Sequence, residues 1–246
     1  MKRKQTHKMF LVAFTFAAAL IAARPATAQD AKQPYPTMAP VEQYLMDRDA
    51  EIALARSAAP DAISRDASVI VLTRHGYETA VPGTNGWVCW VGRGWMAMFD
   101  HPEFWNPKVR AADCLNPPAA RSVLPYAYKR TELILAGRSK LEVIAAMKAA
   151  IDKKELPALE QGAVSYMMSK ASYLTDRGGH NMPHLMFFQT EAAWGANLTN
   201  SPIMAINYWY ISADQYPQLK TFPPLSVFLI GADKWSDGTP TDKHND

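Results

Sequence analysis

Near the amino end, Met9 to Ala23 form an almost unbroken apolar run of 15 residues, and this run decides where the rest of the chain has to fold. As a helix it would reach only ~22 Å, short of the ~30 Å hydrocarbon core of a bilayer. Lys2, Arg3, Lys4 and Lys8 precede it, Pro25 breaks it, and Ala26-Thr27-Ala28 follows. A basic flank, a short apolar stretch and small residues form the pattern of a cleavable secretory leader, with cleavage expected between Ala28 and Gln29. An uncleaved anchor is the alternative. No cysteine follows the run, so lipid attachment there is excluded, and the lack of an Arg-Arg pair favours the general secretory route. The expectation is a periplasmic or secreted protein with no stable membrane span after cleavage.

Cleavage would also change the charge. The full sequence has 26 Lys and Arg against 23 Asp and Glu, but five of the bases and none of the acids lie in residues 1–28. The remainder carries 21 bases against 23 acids, so the basic balance belongs to the leader and argues for no nucleic-acid partner. With 48% hydrophobic residues, the chain can build a conventional core. Residues 29–36 are expected to be a flexible leader, 37–235 a single domain and 236–246 a polar tail.

Within the domain, apolar residues recur at sevens from Met38 to Ala59, which predicts a helix from about Pro40 to Ala58. Val69–Thr79 and Trp87–Val91 read as the two strands of a hairpin joined through Asn85-Gly86. From Met96 to Pro118, four prolines predict irregular structure. A helix is expected over Tyr126–Ala136. A second follows the capping box Ser139-Lys140-Leu141-Glu142, with Leu141, Ile144, Ala145, Lys148 and Ile151 facing inward. Residues 163–174, 184–190, 203–212 and 225–230 read as short strands, the first two paired as a hairpin. Too few helices separate the strands for parallel crossovers, so the expected fold is α+β, a mainly antiparallel sheet with helices packed on one side.

Cys89 and Cys114 are the only cysteines, and in an oxidising compartment they are expected to pair. The competing reading is a nucleophilic thiol working with His101. Common local signatures of hydrolases, nucleotide binders and redox enzymes are missing from the sequence.

Two groups of residues remain as candidate sites. In an extended His180-Asn181-Met182-Pro183-His184-Leu185-Met186, the side chains of His180, Met182, His184 and Met186 would project to one face, and imidazole with thioether suits copper. The alternative places Met186 in the core and leaves His184 as a hydrogen-bonded residue at the strand entrance. No cofactor is expected apart from that copper reading. Trp87, Trp90, Trp95 and Trp105 crowd around the cysteine loop; they are either core or a stacking platform for an envelope ligand. Weaker candidates are Arg74, His75 and Glu78, the run Asp100-His101-Pro102-Glu103, and the glycosylation-type triplet Asn197-Leu198-Thr199.

Gly83-Thr84-Asn85-Gly86-Trp87-Val88-Cys89 and Gly179-His180-Asn181-Met182-Pro183-His184-Leu185-Met186-Phe187-Phe188 together resemble a group of exported bacterial proteins with no assigned function. The resemblance implies a signal peptide and a shared domain, and it brings no activity or site residues with it. The functional expectation is a non-catalytic domain binding an envelope ligand or small molecule. One rival is a hydrolase or metal-dependent enzyme using His75, His180 or His184; the other is a copper-binding protein using the His/Met strand.

Overall fold

In a computed structural model, residues 34–177, 182–190 and 204–241 are described. Eight strands form one sheet: β1 (Ser68–Thr73), β2 (Gly76–Val81), β3 (Val88–Gly92), β4 (Ala111–Leu115), β5 (Val164–Met167), β6 (His184–Gln189), β7 (Met204–Asn207) and β8 (Ser226–Gly231). Their order is β2-β1-β3-β4-β5-β6-β8-β7, and every neighbouring pair is antiparallel except β1 with β3. The α+β class, the mainly antiparallel sheet and the β5–β6 pairing agree with the sequence reading.

The hairpin differs from expectation. Val69–Thr79 is not one strand; it folds back on itself at Arg74-His75 to make both β1 and β2, in the register Thr73 opposite Gly76. β3 then pairs with the other side of β1, in parallel. To get there, residues 82–87 cross the start of β1, held by Thr84 N–H on the Asp66 carbonyl (2.8 Å) and Gly83 N–H on Ser68 Oγ (2.9 Å). A Cβ on Gly83 would lie 2.1 Å from the Ser68 nitrogen, so the crossing needs glycine.

Alternation along the strands builds two apolar layers. On one face Ile70, Leu72, Trp90, Leu115 and Phe188 pack under α3 (Pro117–Ser122), α4 (Leu124–Leu135) and α5 (Lys140–Asp152). On the other, Val69, Cys89, Val91, Ala112 and Cys114 meet Ala55, Ala58 and Ala59, from the end of α1 (Arg48–Arg56) and the turn before α2 (Asp61–Ser64). The main helical layer thus lies on one side, and α1 with α2 covers the β1–β3–β4 end of the other.

The expected helix over residues 40–58 is in fact split. Val41–Tyr44 is a 3-10 turn, the chain then extends, and Asp47 Oδ1 caps α1 by accepting from Asp49 and Ala50 N–H. The Ser139–Glu142 capping box of α5 is present. Its inward face is Val143, Ile144, Met147 and Ala150 rather than the expected stripe, and Leu141 stands 54% exposed. The helix is apolar nearly all round, so periodicity alone gave no unique face. β4 lies inside the stretch expected to be irregular, where prolines exclude long elements but leave room for five residues.

Cys89 and Cys114 are directly opposite each other on β3 and β4, fully buried and joined by a disulfide, with Cα atoms 4.0 Å apart. That removes the thiol nucleophile. Among the described residues, no helix is long and apolar enough to cross a membrane.

Candidate functional site

A cleft of about 560 Å³ opens where the end of α5 meets the segments that lead into β8 and out of β7. Its inner wall is Trp209, only 1% exposed, positioned by backbone N–H donation to Asn207 Oδ1 (2.8 Å) and by ring contacts with Phe222 and Tyr208, both at 4.8 Å. Tyr126 of α4 forms a second wall, 5.9 Å from Trp209 between ring centroids. Ile151, Leu156, Pro157 and the Pro223-Pro224-Leu225 run supply the rest of the apolar lining.

Both aromatic polar tips are occupied by the walls themselves. Trp209 Nε1 donates to the Pro223 carbonyl (2.9 Å) and Tyr126 Oη to the Pro157 carbonyl (2.8 Å). Burial also raises the Tyr126 phenol above its usual range, keeping it neutral. What faces the cleft is hydrocarbon and ring surface, with Thr190 as the one aliphatic hydroxyl and Lys154 as the one charged side chain among the lining residues.

Lys154 sits where α5 stops. Its N–H bonds to the Ile151 carbonyl and the Glu155 N–H to the Ala150 carbonyl, both at 2.9 Å, the two bonds of a Schellman ending. That ending puts Lys154 at φ 58°, a position usually given to glycine. In the same protein α4 ends through the same pair of bonds with Gly137 at φ 74°. A side chain at this position costs about 1 kcal/mol of backbone strain relative to glycine.

The residues singled out from sequence lie elsewhere. Trp90, Trp95 and Trp105 are at most 6% exposed, which corrects the stacking-platform reading for these three. Trp90 Nε1 donates to Asp113 Oδ2 (3.3 Å) and Trp95 Nε1 to Thr131 Oγ1 (3.2 Å), while Trp105 packs edge-on against Phe104. Trp87, on the opposite face from Trp90, is half-buried against Tyr166. Trp90 is buried because β3 is an interior strand covered on both faces, and Trp95 and Trp105 belong to the same apolar layer.

His75 is exposed at the β1–β2 turn, whereas His184 is 6% exposed in β6 with Nδ1 2.8 Å from the Met182 carbonyl. β3, β4 and β5 intervene, a separation of at least about 19 Å at the usual strand spacing. The two histidines therefore cannot share a site. Burial lowers the His184 imidazole below its usual range. Met182 is 53% exposed and Met186 half-buried, so the described members of the His/Met set do not share one environment. His180, the Ala28–Gln29 junction and Asn197-Leu198-Thr199 lie outside the described residues. Among the described residues, no three His, Cys, Asp or Glu side chains gather as metal ligands.

Arg74 and Glu78 do not pair with each other; Arg74 pairs with Glu42, and Glu78 with Arg48 at 3.0 Å. In the Asp100–Glu103 run each ionisable side chain serves the fold. Asp100 accepts from the backbone N–H groups of Ile211, Ser212 and Ala213, and His101 Nδ1 accepts Glu103 N–H. Glu103 accepts from Asn106 and Thr175. No sequence signal marked the cleft: Tyr126 fell in an expected helix, and Trp209 and Leu225 in expected strands.

Against protein-family models, curated proteins and solved structures, the chain finds no match. The site has to be read from its own chemistry.

Proposed function

We propose that the protein is exported and binds a small, largely apolar molecule in the cleft beside Trp209, without catalysing a reaction. The observation that carries this reading is the chemistry of the walls. An apolar concavity of several hundred Å³ with a few polar groups is the usual form of a small-molecule site, and here the indole and phenol tips are already bonded to wall carbonyls. Little polar surface then has to be desolvated when an apolar guest enters.

Binding fits these residues better than catalysis. Among the described lining residues there is one amine and one aliphatic hydroxyl and no imidazole or carboxylate, and His75 and His184, two of the histidines of the enzyme alternative, lie far apart. Export is supported by the leader pattern, by the resemblance of the two motifs and by a disulfide at the centre of the sheet.

A neutral naphthylamine dye whose emission rises in apolar surroundings tests the site. The expected result is saturable enhancement with the native protein. Ala158→Trp, which fills the cleft from an exposed lining position, should weaken that enhancement and leave Tm unchanged. No saturable enhancement, or enhancement untouched in a folded Ala158→Trp protein, would refute the reading.

A further inference from the structure

The cleft has a polarity of its own: among the described residues its lining is largely apolar and includes one cation, Lys154. We infer that its guest is a single-headed anionic amphiphile, a hydrocarbon body with one carboxylate, whose head pairs with the Lys154 amine. The inference rests on the proposal that the cleft binds a small molecule, and it adds the class of that molecule.

Three observations support it. First, Lys154 makes no ion pair among the described residues, whereas its neighbours do. Lys153 is 4.0 Å from Glu155, Lys148 is 2.6 Å from Asp152, and Glu160 is held by Arg121 at 2.6 Å. Among these described neighbours, an arriving anion would meet paired charges and one available cation. Second, the carbonyls of Ala150 and Ile151 at the end of α5 are occupied by the Schellman bonds. This reduces the partial negative charge that a helix end would otherwise turn toward an anionic head. Third, the left-handed position is filled by lysine at a conformational cost that Gly137 spares α4. A residue that breaks a local rule at the mouth of a cleft is where a functional demand is expected to override stability.

The apolar walls decide the rest of the guest. A doubly charged or polyhydroxylated molecule would leave polar groups against Ile151, Leu156 and the proline run with nothing to bond them. A hydrocarbon tail leaves none. An amine head would meet like charge at Lys154.

Displacement of the same dye by decanoate, methyl decanoate and decylamine, each below its aggregation threshold, tests the assignment. In the native protein, decanoate should displace the dye at about one-fifth the concentration of the ester, the ratio expected for a partly exposed ion pair, and decylamine should be weakest. Lys154→Gly should erase the preference for acid over ester and raise Tm; Lys154→Arg should keep the preference. Equal displacement by acid and ester in the native protein, or a preference that survives Lys154→Gly, overturns the assignment. The Ala158→Trp control keeps the two proposals apart. If it abolishes dye binding while acid and ester remain equivalent, the cleft binds and the head-group inference fails. If it leaves dye binding intact, the cleft proposal itself fails.

Discussion

Arg93 Nη2 lies 2.8 Å from Glu51 Oε2, and both side chains are sealed from solvent. Arg93 Nε also donates to the Tyr44 carbonyl (2.7 Å), and Glu51 Oε1 accepts Leu72 N–H (3.1 Å), so the pair joins α1, the turn before it and strand β1. Removing one partner strands a buried charge. Glu51→Ala should cost about 3–5 kcal/mol, and exchanging both partners for apolar residues, Glu51→Leu with Arg93→Met, should recover most of that loss. Urea midpoints of the single and double variants measure both effects. A single variant within experimental error of the native protein would show that the pair does not anchor α1.

The Cys89–Cys114 bridge closes a segment of 25 residues between two central strands. Reduction, or Cys89→Ser with Cys114→Ser, should lower stability by about 3–4 kcal/mol on the chain-entropy account. Mass spectrometry before and after alkylation establishes the bond, and parallel denaturation of the oxidised and reduced protein gives its contribution.

Asp113 predicts a pH dependence. It is buried, and burial raises its carboxyl to about 7 against the opposing effects of Ser165, Trp90 and the Cys114 backbone. Between about pH 4 and pH 7 the folded state then holds a proton that the unfolded state has released. This group's contribution to stability therefore falls across that window and is least favourable above it. His101 and His184, both lowered by burial, act in the opposite sense below about pH 6.5. The informative quantity is accordingly the difference between native and variant. Asp113→Asn should flatten the decline between pH 5 and pH 8 and exceed the native Tm at pH 8; parallel pH profiles would count against a buried, proton-holding Asp113.

On the proposed export route, the mature protein should begin at Gln29. Amino-terminal sequencing of material recovered from the periplasm or culture medium checks this, and a product retaining Met9–Ala23 would point to the anchor instead.

The two legible parts of the fold were those written in local chemistry. Ser139 and Glu142 satisfy each other's helix start within four residues, and the α5 boundary followed directly. Cys89 and Cys114 had no other cysteine to choose. β4 was hidden because Ala111-Ala112-Asp113-Cys114-Leu115 has little strand propensity of its own. It is a strand because β3 and β5 flank it and two layers cover it. The division of Val69–Thr79 into β1 and β2 was hidden for a related reason: Asn85-Gly86 is the stronger turn signal, yet the turn falls at Arg74-His75, where Thr73 Oγ1 donates to the Gly76 carbonyl and accepts His75 N–H. The cleft was hidden because its described walls come from five separate segments, and Lys154 in sequence is one lysine in a charged run.

Strand order carries a further consequence for a chain delivered amino end first. β1 and β2 close locally; β3 then takes the free side of β1, and β4, β5 and β6 each join the edge left by the strand before. That rule breaks once. β7 leaves the sequence before β8 but borders only β8, so it has to wait for a later stretch of backbone before it finds its neighbour. Trp209, two residues beyond β7, inherits the delay, and the cleft takes shape only as the last strand closes.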